Sequence, residues 1–150
     1  LVTPQNRERE TITRLARVGY DNVLGFLNDG MQAWTQAGKE IATVESVTAE
    51  ELASIYKEGK TMVLDVRRPG EYEAEHIKGA LNYPVDYLQQ HLGELDKSKK
   101  YYVHCAGGYR SMIACSILKR NGFEQVVDVM GGYNAIKQTA VPKESVLATA

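Results

Sequence analysis

Cys105-Ala106-Gly107-Gly108-Tyr109-Arg110 is the stretch of this chain best equipped for chemistry. It follows the strand-like run Tyr101-Tyr102-Val103-His104 and leads into a helix-like run over 111–118. A cysteine at a strand end, then a glycine-rich turn, then a helix start, is a layout for an activated sulfur nucleophile. The turn can aim backbone N–H groups inward, and the helix N-terminus adds partial positive charge. Arg110 adds a full positive charge beside them. Together these groups favour a thiolate, or an anionic sulfur adduct, over the neutral thiol. A free thiol titrates at roughly pH 8.5, and lowering that by about two units takes roughly 2.7 kcal/mol. A helix terminus acting with an arginine is of that size. The glycines let the backbone approach the sulfur closely, with positive φ where needed. The rival reading is an inert cysteine sealed in hydrocarbon, with the amides turned outward and Arg110 pointing elsewhere. Cys115 is the contrast: it sits in a helical pattern among apolar residues, where packing explains it.

The elements that must hold this loop follow from patterning. Thr48-Ala49-Glu50-Glu51 reads as a capping box opening a helix to about Glu58, which Gly59 ends. Residues 61–66 form an apolar, partly β-branched run that predicts a buried strand, broken by Arg68-Pro69-Gly70. Residues 71–77 predict a short helix with Gly79 after it, and 80–83 a short extended run before Pro84. Residues 85–95, with Leu88, Leu92 and Leu95 at helical spacing, predict an amphipathic helix. After the polar turn 97–100 come the strand into Cys105 and the helix after Arg110, closed by Asn121-Gly122. Residues 125–130 predict another strand, Gly131-Gly132 a turn, and 133–138 a last short helix. Strands alternating with helices imply a parallel sheet flanked by helices, with ligands at the C-terminal strand ends. Cys105 falls at such an end.

Bulk properties narrow the partners. A net charge of −1 makes no electrostatic case for nucleic acid or an anionic membrane surface. No apolar run is long enough to span a bilayer and no signal peptide is visible, although a start at Leu1 is compatible with an upstream segment. Two cysteines make no disulfide framework, and a reactive thiol points to a reducing compartment, the cytoplasm. His76, His91, His104 and the cysteines show no paired ligand spacing, so neither a metal nor a cofactor is expected.

Residues 1–41 echo the end of the main domain. The run 14–23 parallels 117–126, and Asp29-Gly30-Met31-Gln32-Ala33-Trp34 parallels Gly131-Gly132-Tyr133-Asn134-Ala135-Ile136 after a one-residue slip. Extended backwards, that register sets Arg7 against Arg110 and Val2 against Cys105, so the upstream copy lacks a nucleophile. Three segments follow: a C-terminal remnant of a degenerate, non-catalytic repeat at 1–41, a catalytic domain at 46–141, and a tail at 142–150. The remnant cannot bury its own sheet face, so it is expected to dock on the main domain, on an upstream domain or on another copy, or to stay loose.

Three blocks resemble the rhodanese family of sulfurtransferases: 64–84, running Leu64-Asp65-Val66-Arg67 through His76-Ile77 to Pro84; the loop His104 to Ser111; and Met130-Gly131-Gly132-Tyr133. Glu75 stands where that family usually has Gly, and Ile136 replaces a frequent Trp. The resemblance implies a rhodanese-like three-layer α/β/α fold with a central, mainly parallel sheet. It also implies a persulfide cycle. Cys105 would take a sulfane sulfur from a small sulfur-containing anion such as thiosulfate, or from a low-molecular-weight persulfide, and pass it to cyanide, a thiol or a protein acceptor. The N–H groups of Ala106, Gly107, Gly108, Tyr109 and Arg110 would surround the sulfur, and Arg110 would pair with the donor's oxygens. Asp65, Arg67 and Glu71 are implied as structural, with Arg67 a possible second substrate contact; His76 and His104 are implied as packing. Related cysteine phosphatases carry a loop one residue longer, so the four residues between Cys105 and Arg110 favour sulfur over phosphate. Two alternatives stay open: a non-turnover sulfur-relay or partner-binding module of a larger protein, and arsenate reductase or phosphatase activity.

Overall fold

The computed structural model describes residues 1–17 and 19–146, which divide into two compact units, the first ending at Thr43 and the second opening at Val44. The first unit carries helices α1 (Glu8–Ala16) and α2 (Gly30–Gln36). Val18, inside the repeat, and 147–150, inside the expected tail, lie outside the described residues.

The second unit opens with strand β1 (Glu45–Val47) and helix α3 (Ala49–Ile55). The capping box at Thr48 is formed: its hydroxyl accepts the Glu51 N–H, and the Glu51 carboxylate accepts the Thr48 N–H at 2.7 Å. Strand β2 (Met62–Asp65) leads into helix α4 (Pro69–Ala74), with proline in the first turn, where its missing N–H costs nothing. Two short strands follow, β3 (His76–Ile77) and β4 (Leu81–Asn82). After them come β5 (Tyr101–His104), α5 (Tyr109–Arg120), β6 (Val126–Val129), α6 (Gly132–Ile136) and β7 (Lys143–Glu144).

Five strands form one parallel sheet in the order β1-β6-β5-β2-β4. Its central strand is β5, which ends at His104, immediately before Cys105. One face packs Leu64, Val66, Val103, Ala114, Cys115, Leu118 and Val126 under α5. The other packs Val63, Val129 and Ile77 against Ala49 and Leu52 of α3 and Tyr133 and Ile136 of α6. The three-layer α/β/α arrangement with a parallel sheet is therefore present.

Two expected helices differ. Residues 85–95 form two 3₁₀ turns, Leu88–Gln90 and Leu92–Glu94, in place of an α-helix. Their bonds run between residues three apart: Gln90 N–H to Tyr87 O, His91 N–H to Leu88 O, Glu94 N–H to His91 O. Gly93 weakens a helix there, and Glu94 is drawn into bonds with His91 and the Tyr83 hydroxyl. The turns still bury Leu88 and Leu95. The helix expected over 71–77 stops at Ala74, because Glu75 is extended and its carbonyl accepts from Arg67 Nη2 at 2.8 Å. His76–Ile77 then pair antiparallel with Lys143–Glu144, inside the segment read as a tail.

Candidate active site

The Cys105 sulfur sits at the C-terminal end of the central strand, under the N-terminus of α5. The residue is 1% exposed. The Gly108 N–H points at Sγ from 3.1 Å, and the Ser111 hydroxyl lies 3.7 Å from it. Burial pushes the thiol up. The Ser111 N–H and hydroxyl, with the N–H groups of Gly108 and Gly107, outweigh that and hold it below its ordinary value. The sulfur thus meets polar donors from the loop and α5, while the residue also belongs to the apolar cluster of Leu64, Val66 and Val103.

The loop is aimed from outside by α6. The Tyr133 N–H donates to the Cys105 carbonyl at 2.7 Å, and the Asn134 N–H to the Ala106 carbonyl at 3.0 Å. With those carbonyls drawn outward, the following amides are free to face the sulfur. Gly108 takes φ +106 to start α5, and Gly132 takes φ +55 where the loop backbone presses against it.

Arg110 does not stand free over the loop. Its fork closes on the Glu71 carboxylate at 2.8 and 3.0 Å, with both side chains about one-third exposed. The Arg110 hydrogen bond holds the Glu71 carboxyl below the usual range, burial opposing. Glu71 accordingly does more than tie its own loop together: it joins α4 to the cysteine loop.

Arg67 follows the end of β2. It is buried, donates to Asp65 through Nε and Nη2 at 2.6–2.9 Å, and stacks its guanidinium 4.0 Å above the Tyr133 ring. Its Nε and Nη2 donors are committed to the Asp65 carboxylate and the Glu75 carbonyl, the structural role that the resemblance implies. His104 is fully buried on the opposite face, stacked on Tyr133. Burial pushes its pKa down, against the Asp65 charge, so it is a neutral packing group. His76 stacks on Tyr72 at 3.7 Å, with Nδ1 on the Tyr72 carbonyl. Glu75, the departure from the family pattern, accepts the Tyr133 hydroxyl at 2.8 Å, and Ile136 fills the core under α6.

Two buried polar residues near the site escaped the sequence reading: Ser111 beside the sulfur, and Asp128 opposite Val103 on the neighbouring strand. The signal for Ser111 was a hydroxyl on the stripe 111, 114, 115, 118, which the helix buries. Asp128 is the one polar side chain in a strand buried at every position. Among the described residues no cluster of His, Cys, Asp and Glu is placed to hold a metal ion, and no helix is long and apolar enough to cross a membrane.

Comparison with known proteins bears on the same region. Residues 48–139 match the Rhodanese-like domain family. An uncharacterized protein of Bacillus subtilis is 34% identical over 90 residues, covering 60% of this chain and 70% of that one. A putative sulfur carrier protein of Bacillus subtilis is 36% identical over 70 residues, 47% of this chain and 38% of that protein. A tRNA uridine(34) hydroxylase of Hamiltonella defensa is 32% identical over 108 residues, 68% of this chain and 30% of that enzyme. The chain thus spans well under half of the last two. Among solved structures, a rhodanese-like domain protein of Staphylococcus aureus superposes with a TM-score of 0.61 at 32% identity, over 68% of this chain and all of that one. The rhodanese-like domain of an Anabaena protein gives 0.63 at 31%, over 71% and 83%.

Proposed function

Because the chain belongs to the rhodanese-like domain family, we propose that it is a sulfurtransferase whose Cys105 carries a sulfane sulfur as a persulfide. The observation that supports this best is the donor shell: N–H groups and a hydroxyl converging on one sulfur, with the nearest amide at 3.1 Å. The thiolate attacks the outer sulfur of a donor such as thiosulfate, an S–S bond forms to Cys105, and sulfite leaves with the electron pair of the broken bond. An acceptor nucleophile, cyanide or a thiolate, then attacks the terminal sulfur and returns Cys105 to the thiolate. The negative charge stays within reach of the same donors throughout, which keeps both half-reactions on one electrostatic platform. Arg110, anchored by Glu71, supplies the fixed positive charge for the donor's oxygens. A loop this short fits one sulfur better than a phosphoryl group.

The acceptor is proposed to be a protein or low-molecular-weight thiol. Tyr109, Met112 and Ile113 beside the loop are exposed at 82%, 40% and 42%, an apolar rim that suits a macromolecular acceptor. This is the relay reading, and the relative named a putative sulfur carrier protein favours it. Intact-mass measurement after exposure to thiosulfate and to glutathione persulfide tests both. One added sulfur atom on wild type and none on Cys105→Ser is the expected result, and loading of the serine variant refutes the assignment. Turnover with thiosulfate and cyanide supports the enzyme; loading by the persulfide alone supports the relay.

A further inference from the structure

The segment 142–146 crosses the end of α4 like a strap, and one histidine stands where it is fastened. His76 of β3 lies opposite Glu144 of β7 in the antiparallel pair. The His76 side chain is 4% exposed and that of Glu144 44%. The imidazole stacks on Tyr72, and its Nδ1 lies 2.7 Å from the Tyr72 carbonyl oxygen. A carbonyl only accepts, so Nδ1 carries the proton of that hydrogen bond. A neutral imidazole has a single N–H, which leaves Nε2 with a bare lone pair. Nε2 faces Glu144 Oε1 at 3.3 Å. That oxygen is held in place, because it accepts the Gly79 N–H at 3.1 Å. A lone pair set against a carboxylate oxygen at this distance is repelled, and a proton between the two reverses the sign.

We propose that His76 and Glu144 form a proton-operated latch: with a proton between Nε2 and Oε1 the strap is held on β3 and α4, and without it the strap loosens. The proton comes from solvent and nothing else changes covalently. The latched state binds more protons than the loosened one, so latching is favoured as pH falls and weakened as pH rises. Histidine is the side chain whose charge changes within the physiological range.

Three backbone amides report on the strap. Lys78 N–H donates to the Pro142 carbonyl at 2.9 Å, Gly79 N–H to Glu144 Oε1, and Val146 N–H to the Glu73 carbonyl at 3.0 Å, where the Ser145 hydroxyl also donates. The other charged and titratable groups around His76 are engaged elsewhere. Burial holds the Tyr72 phenol above its ordinary value, with the Glu144 and Asp65 charges adding to it, and its hydroxyl donates to the Ala80 carbonyl. Lys78 pairs with Glu58 at 2.9 Å, and the Tyr56 hydroxyl donates to the Lys78 carbonyl. Lys143 Nζ donates to the Thr139 and Val141 carbonyls at 2.7 and 2.9 Å. Glu75 accepts from Tyr133, and Asp65 from Arg67. None of the groups around Cys105 takes part, so the latch stands apart from the proposed sulfur transfer.

The test uses the whole chain. NMR shifts of the His76 ring nitrogens and hydrogen-exchange protection of the Lys78, Gly79 and Val146 amides are followed over about pH 5 to 8. The ring should pass from imidazolium to the tautomer protonated at Nδ1. Protection at the three amides should fall about threefold across the same transition, the size of a partly exposed ion pair. Glu144→Gln keeps an acceptor for Gly79 and offers an amide N–H to the bare Nε2, so its protection should no longer fall with rising pH. A neutral ring protonated at Nε2 overturns the proposal. So does protection that is constant with pH in wild type, or that falls equally in wild type and Glu144→Gln. Should the variant fail to fold, the wild-type tautomer and the coincidence of ring and amide transitions decide the matter alone.

Discussion

Gly132→Ala tests whether α6 aims the cysteine loop. A Cβ at this position would press on the Cys105 carbonyl oxygen and lie 2.8 Å from both the Ala106 carbonyl carbon and oxygen. All are backbone atoms, so no side chain can rotate away, and the loop or α6 must move. The residue also sits at φ +55, which costs alanine about 1–2 kcal/mol. Displacing the loop strains two hydrogen bonds, Tyr133 N–H to Cys105 O and Asn134 N–H to Ala106 O, at roughly 1 kcal/mol each. The sum is a loss of about 3–4 kcal/mol in stability. If about 1.4 kcal/mol of it falls on the amides facing the sulfur, the thiol rises by about one unit. Urea denaturation reads the first quantity and the pH profile of thiol alkylation the second. Gly93→Ala is the control, because a Cβ there meets nothing and φ is ordinary; it should leave both unchanged. A Gly132→Ala protein with wild-type stability and a wild-type alkylation profile would refute the claim that the loop's shape is imposed from α6.

Arg67→Met strips the fork from Asp65, which is fully buried, and should cost on the order of 3–5 kcal/mol in urea denaturation. Protein kept folded in the cold should still gain sulfur at Cys105 by intact mass; failure to load while folded would favour Arg67 as a substrate contact. His104 carries a pH signature. Burial depresses its folded pKa below the unfolded 6.5, so the unfolded chain binds the proton more readily. Its contribution is complete above about pH 6.5 and is lost as pH falls from there towards the folded pKa, at up to about 1.4 kcal/mol per pH unit. His104→Gln should therefore show a flatter stability profile between pH 7 and 5.5, and equal slopes in the two proteins would contradict the neutral, buried assignment.

The parts of the fold legible in the sequence are those whose local signals agree with their tertiary setting. The capping box at Thr48, the apolar run at 62–65 and the cysteine loop at a strand end carry their own instructions, and packing confirms them. The stretch 85–95 misled because its leucine spacing suits a helix, while 3₁₀ turns bury Leu88 and Leu95 equally well. The strand at 76–77 was hidden because its partner, 143–144, lies far along the chain in a segment with no pattern of its own. At the site, nucleophile and loop were legible from residue type and order. The Arg110–Glu71 fork was not, since it joins residues that only the folded sheet edge brings together.

The first unit separates what the fold requires from what the chemistry requires. Asp29 and Gly30 take φ of +57 and +54, where Gly131 and Gly132 take +74 and +55. A Cβ on Gly30 would lie 2.9 Å from the Thr3 carbonyl oxygen, as one on Gly132 would lie 2.8 Å from that of Ala106, and the repeat register sets Thr3 against Ala106. Gly19 and Gly122, also in register, take +89 and +85. We propose that these shared turns descend from one ancestral module. The same close glycine approach occurs in the first unit, where the repeat register sets Val2 at the place of Cys105. What differs is the hydrogen bonding: the Gln32 N–H goes to Asp29 O within its own turn, whereas Asn134 N–H reaches across to Ala106. The turn is thus a property of the fold, and its grip on the loop carbonyls is what turns it to the service of Cys105.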